Sequence, residues 1–106
     1  MPQIGDIVYL HDHDTNASGK NVMRWCMIVA VNGSRTRVAP RSSTVRGPIF
    51  TPAGLLPEFD LDGWFSRWTM PVATAIVEEA RNIGQLPEPA RSEVLRITAR
   101  RKRRAR

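Results

Sequence analysis

The dipeptide Asn32-Gly33, set between two strand-like runs, does most to restrict how this chain can fold. The run before it, Trp25 to Val31, is apolar throughout and rich in β-branched and aromatic residues. That composition fits a strand buried on both faces. A tight primed turn needs positive φ at both central residues, and Asn-Gly supplies this most readily. Thr36 to Ala39 is expected to return as the partner strand. Pro40, which has no N–H to donate, is expected to end that strand or bring it to an edge. A register set by this turn carries Arg24, at the entry of the first strand, to the end where Arg41, Ser42 and Ser43 leave the second. A guanidinium beside one or two hydroxyls at the rim of a sheet is a donor set suited to a phosphodiester.

Around this hairpin the chain divides into short elements. Gly5-Asp6 opens a first strand, Ile7 to Leu10. The segment from His11 to Asn21 is polar and too long for a tight hairpin, and such loops often carry function. Thr44 to Phe50 can form another strand, and Gly47-Pro48 within it suggests a bulge or an edge. Thr51 to Asp62 contains Pro52, Gly54 and Pro57 and is expected to be a connecting loop, with a turn at Asp60-Leu61-Asp62-Gly63. Trp64 to Trp68 follows as a short strand. The period then changes: Pro71 suits the first turn of a helix. Val72, Ile76, Val77, Ala80 and Ile83 lie on one helical stripe, which Gly84 would terminate. A second helix begins near Pro87 or Pro89, carries Ala90, Val94, Leu95 and Ile97 as its apolar stripe, and runs into a basic tail. The sum is about five short strands and then two helices, a small antiparallel barrel or curled sheet covered by helices.

A chain of 106 residues suits one domain with one modest core, here residues 1–99, followed by a tail over 100–106. No apolar run approaches the roughly 20 residues of a membrane span. The opening Met-Pro-Gln-Ile-Gly-Asp has no basic or apolar leader region, so no signal peptide is expected. Cys26, the single cysteine, falls in the most apolar strand and is expected to be a buried thiol, which fits a reducing cytoplasm. The net charge of +6 is unevenly spread, since residues 100–106 alone carry six basic groups. The remainder is balanced, with ten basic and ten acidic side chains in residues 1–99. Within it, residues 15–57 hold six basic groups (Lys20, Arg24, Arg35, Arg37, Arg41, Arg46) and no acid. A basic region on an otherwise acidic body suggests a surface facing a polyanion; a solvated basic face without a partner is the alternative.

The order Gly5-Asp6-Ile7-Val8, a polar loop, Arg24 entering an apolar strand, then Val38-Ala39-Pro40-Arg41-Ser42-Ser43 resembles the MazF/PemK-like toxins of the CcdB/MazF superfamily. Ile83-Gly84-Gln85-Leu86-Pro87-Glu88 before the last helix is similar to the segment at the same place in PemK-like chains. The resemblance implies an SH3-like barrel with C-terminal helices, a homodimer, a cognate antitoxin and a metal-independent endoribonuclease acting on single-stranded RNA without a cofactor. It assigns the reaction to an Arg at the start of the second long strand and a Thr or Ser after the Pro of the next, which fall on Arg24 and Ser42. The chain departs from the family in carrying Trp25 where Pro often follows that Arg, and Ser42 where Thr is favoured. The first loop borders the RNA groove in the family, which implies substrate contact for His11, His13 and Lys20. Arg41, Ser43 and Arg46 are the remaining candidate RNA contacts.

Metal-free RNA cleavage uses the 2′-hydroxyl as nucleophile and needs a proton relay, a cation at the charged phosphorane and a donor for the leaving 5′-oxygen. Arg24 can supply paired N–H bonds to the phosphorane oxygens. Ser42 can hold a phosphate oxygen. The bland alternatives are a strand-edge cation for Arg24 and a turn cap for Ser42. His11 and His13 fall on one face of an extended segment, where acid–base work, metal binding and an idle exposed loop all remain open. Trp25, Trp64 and Trp68 can stack bases, although core or dimer packing is the stronger expectation for them, because two sit in a short strand and one in the most apolar run. The apolarity of both faces of the first long strand suggests that one face meets a second subunit. The basic tail can add salt-sensitive RNA affinity or serve only solubility. Beside the endoribonuclease stand two rival expectations: a non-catalytic SH3-like module that binds nucleic acid or protein, and a CcdB-like topoisomerase poison acting through the last helix.

Overall fold

The computed structural model describes residues 2–11, 23–44 and 47–104, with side chains as far as Ala99. In chain order the elements are β1 (Asp6–His11), β2 (Met23–Asn32), β3 (Arg35–Ser42), β4 (Ile49–Thr51), β5 (Gly63–Phe65), β6 (Met70–Ala73), α1 (Thr74–Glu79), β7 (Asn82–Gln85) and α2 (Ala90–Arg104). The seven strands form a curled antiparallel sheet in the order β4-β5-β3-β2-β1-β7, and β6 also pairs with β3.

Side chains alternate across a strand, and here each face has its own core. On one face Ile7, Met27, Ala39, Ile49 and Phe65 pack with Phe59, Leu86 and the Ala90 and Val94 stripe of α2. On the other, Val8, Leu10, Cys26, Ile28 and Val38 pack with Met70 and with Val77 of α1. Cys26, Met27 and Ile28 are fully buried in succession, so both faces of β2 are covered over this run. Beyond this run the apolar stretch opens to solvent, with Val31 40% exposed. Cys26 is buried, its thiol 3.7 Å from the Arg24 carbonyl.

The central hairpin forms, one residue away from its expected turn. Asn32 pairs with Arg35, so the central residues are Gly33-Ser34. Gly33 has φ of 62°, and among the described residues no non-glycine has positive φ. Positive φ at the first central position alone belongs to a type II′ turn, which asks for glycine there and leaves Asn32 as ordinary strand. Nor does Pro40 end β3, which runs on to Ser42. Residues 35–38 of β3 pair with β6 and residues 41–42 with β5. Pro40 sits at the change of partner, where its missing N–H breaks no ladder. Its carbonyl accepts the Ser66 amide at 3.0 Å.

The later elements depart further from the sequence pattern. The strand expected over Thr44 to Phe50 is only Ile49–Thr51, and Val45 and Arg46 lie outside the described residues. The strand expected over Trp64 to Trp68 is Gly63–Phe65. Pro71 does not open a helix. It lies in β6, paired with Arg37 on an edge strand whose other side has no ladder among the described residues. The helix is short, Thr74–Glu79, and Ile83 and Gly84 belong to β7 on the outer edge of β1. The second helix starts just after Pro89. The Glu88 carboxylate accepts the Ser92 amide at 3.0 Å and the Ser92 hydroxyl at 2.7 Å, which satisfies an orphan donor of its first turn. No helix among the described residues is long and apolar enough to cross a membrane.

Candidate nucleic-acid interface

Antiparallel pairing links Phe50, Trp64 and Ser42 on one side and Arg24 and Leu10 on the other, and alternation along β2 and β3 puts the two sets on one face. Phe50 of β4 pairs with Trp64 of β5, and Trp64 pairs with Ser42 of β3. Arg24 of β2 pairs with Leu10 of β1. The β2–β3 ladder runs to Cys26↔Pro40, and Arg24 and Ser42 each lie two residues beyond that pair. Two residues is one full period of a strand, so both occupy the face that carries Cys26 and Ile28. The row therefore reads Phe50, Trp64, Ser42, Arg24, Leu10. Trp64, Ser42 and Arg24 are half-buried and Leu10 is buried. Phe50 is 50% exposed, with its ring centroid 5.4 Å from that of Trp64 and the planes at 53°.

Ser42 also makes the local contact of a turn cap. Its Oγ accepts the Thr44 amide at 3.2 Å and lies 3.3 Å from Thr44 Oγ1. Ser43, the next residue, is exposed just past the end of β3.

Arg41 has a different place from the one expected. It alternates to the opposite face, beside Phe65 and Ile49, and its side chain is buried. Nε donates to Thr51 Oγ1 at 2.7 Å, and Nη2 donates to the Thr51 carbonyl at 3.0 Å and the Leu61 carbonyl at 2.7 Å. The guanidinium carbon lies 3.9 Å from the centroid of Phe59. Burial pulls its pKa down, and the Asp62 carboxylate opposes that fall. A guanidinium so engaged fastens the 52–62 loop to the sheet, so the expected RNA contact at Arg41 gives way to an internal anchor. Gly63 makes room for it: a Cβ there would come within 2.8 Å of Arg41 Nε.

His11 ends β1 opposite Met23, one residue out of phase with the Leu10–Arg24 pair, and so alternates to the other side of the strand from Arg24. It lines a groove of about 350 Å³ between β1, β6 and α1, whose walls include Leu10, the β1 end of the row, with Met23, Met70, Ile76 and Glu79. His13, Lys20 and Arg46 lie outside the described residues. Of the tryptophans, Trp25 is half-buried against the α2-side core, its ring centroid 4.3 Å from that of Tyr9. Trp68 is 59% exposed. Among the described residues, no group of three or more His, Cys, Asp or Glu side chains is placed to hold a metal ion.

Phe50 is the member of the row that sequence reasoning missed. The signal was present: Ile49 and Thr51 alternate inward between two prolines, which turns Phe50 outward. The fold is thus a curled antiparallel sheet with a helix over each face and an aromatic, hydroxyl and guanidinium row along one face. Compared with protein-family models, curated proteins and solved structures, the chain matches none.

Proposed function

We propose that the protein binds single-stranded RNA across this row and cleaves it without a metal, as a MazF/PemK-like toxin endoribonuclease of the SH3-like barrel type. The observation that carries the reading is the shared face and strand end of Arg24 and Ser42. In the reaction, the 2′-oxygen bonds to phosphorus and the P–O5′ bond breaks. The proton of the 2′-hydroxyl is lost, and one is gained by the 5′-oxygen. The products are a 2′,3′-cyclic phosphate and a 5′-hydroxyl. Arg24 donates two N–H bonds to the non-bridging oxygens as their charge grows, and Ser42 steadies the same phosphate through its hydroxyl. A homodimer, a cognate antitoxin and a cytoplasmic site of action belong to the same reading.

One observation favours a second reading, a non-catalytic RNA-binding module: Ser42 Oγ already caps the turn at Thr44. Incubation of the protein with mixed-sequence single-stranded RNA in EDTA separates the two. Cyclic-phosphate ends, formed by the wild type and reduced about a hundredfold or more in Arg24→Ala, are the result expected for a lost charge-stabilising contact. Intact RNA with salt-sensitive binding selects the module. Intact RNA without binding removes both.

A further inference from the structure

We infer that Phe50 and Trp64 form a base-stacking subsite for single-stranded RNA, placed on the flank of the phosphate-side groups Arg24 and Ser42; this rests on the RNA reading above. An apolar ring on a strand surface ordinarily turns inward or packs under a helix. Phe50 does neither. Its neighbours Ile49 and Thr51 are buried, and it stands half exposed on the outer face. Beside it on the next strand is the indole of Trp64, tilted by 53° at 5.4 Å. The arrangement is a supported ring that leaves aromatic surface open to solvent.

The occupant follows from what shares the row. Cross-strand pairing puts Trp64 directly beside Ser42, and Arg24 lies on the next strand, two residues beyond the Cys26–Pro40 pair as Ser42 does. An aromatic ring next to a hydroxyl and a cation suits a ligand that alternates flat apolar rings with anions, which is the chemistry of a single nucleic-acid strand. Of the described basic groups in residues 15–57, Arg24 lies on this face, Arg41 turns to the opposite one, and Arg35 and Arg37 lie at the turn end of the hairpin. Asp62, the acid just before β5, has its carboxylate on the Ala53 amide at 2.8 Å. Three strand spacings separate β4 from β2, about 14 Å. A base on Phe50 and a phosphate at Arg24 therefore belong to different nucleotides of one strand. Stacking accepts any base, so this subsite sets affinity and the placement of the strand, while sequence choice lies elsewhere.

The test measures binding of a 2′-O-methyl oligonucleotide of about a dozen residues, which cannot be cleaved, and of the same strand made abasic. Phe50→Ala and Trp64→Ala should each weaken binding of the intact strand by about 5- to 100-fold. Phe50→Tyr should restore it. Neither alanine variant should change binding of the abasic strand, because no base is left to stack. Arg24→Ala should weaken both strands, since the phosphates are present in each. Circular dichroism of every variant establishes that it is folded, and Phe50, on the surface of an edge strand, is the less intrusive of the two sites. Arg24-dependent binding that is indifferent to Phe50 and Trp64, or lost equally on both strands, overturns the subsite and leaves the RNA reading standing. No binding by the wild type overturns both. Concentration-dependent self-association abolished by Phe50→Ala, with RNA affinity unchanged, assigns the rings to a protein contact and also overturns the subsite.

Discussion

Arg41 shows how much of the fold one side chain can hold in place. Its guanidinium joins strand β3 to Thr51 at the end of β4 and to Leu61 in the following loop, and covers Phe59. Truncation would leave the Thr51 and Leu61 carbonyls short of a charged donor and uncover the phenyl ring. Arg41→Ala should therefore cost about 2–4 kcal/mol in urea unfolding. Arg41→Lys should recover only part of that loss, since an ammonium cannot reproduce the planar fork. RNA binding per folded molecule should be unchanged in both variants, because the group points away from the row; a specific loss of binding by folded Arg41→Ala would return it to the RNA surface. In the sequence, Arg41, Ser42 and Ser43 look alike as polar residues after a proline. The placement of Arg24 and Ser42 on one face was not legible from the turn: moving the turn by one residue shifts the cross-strand pairing by two, and the irregularity between Ile28 and Ala30 takes back one, so that the pairing, continued past Cys26 and Pro40, sets Arg24 against Ser42 rather than Arg41. The burial of Arg41 was not legible, since it depends on Phe59, brought from a segment whose Pro52, Gly54 and Pro57 mark it as a connecting loop.

At the scale of elements, the long hairpin was readable from its own residues, whereas the short strands are set by their partners. Met70 to Ala73 is a strand because Arg35 to Val38 offers it a ladder, although Pro71 and the apolar spacing around it suit a helix equally well. Strand β7 is a similar case and depends on Asp6. The Asp6 carboxylate accepts Gln85 Nε2 at 2.7 Å, Asn82 Nδ2 at 2.9 Å and the Gln3 amide at 2.9 Å. Burial alone would raise its pKa, and these hydrogen bonds outweigh it, so the folded value lies below the ordinary carboxylate range. Unfolding returns Asp6 to an ordinary pKa near 4, so the unfolded chain takes up the proton first as pH falls. The contribution is full above about pH 4 and disappears as pH drops through the folded value. Chemical unfolding of wild type and Asp6→Asn should show the largest stability difference at neutral pH and a shrinking one in acid. Amide exchange should locate the change at the Leu86 amide bonded to Gly5 and the Tyr9 amide bonded to Arg81. A difference that does not vary with pH would show that the carboxylate's charge plays no part in holding β7.

For the molecule as a whole, the distribution of charge carries the last consequence. The basic block at the C-terminus was plain in the sequence, and the structure adds where it begins. The described buried positions of α2 are Ala90, Val94 and Thr98, and the six basic residues of the tail follow them in the sequence. A chain ending at Ala99 keeps every described contact of α2 with the sheet and loses six of sixteen basic residues. On the RNA reading, each cation that neutralises a phosphate of a single strand contributes about 0.7 to the slope of log affinity against log salt. Removal of the tail should lower that slope by at most about 4, with the greatest weakening at low ionic strength and convergence with the full chain as salt rises. Cleavage at saturating RNA should be unaltered, because Arg24 and Ser42 remain on their strands and the face they share is carried by the sheet. An unchanged slope would mean that the tail does not meet the RNA. A truncated chain that binds normally but no longer cleaves would move part of the reaction to the end of α2, away from the rim of the sheet.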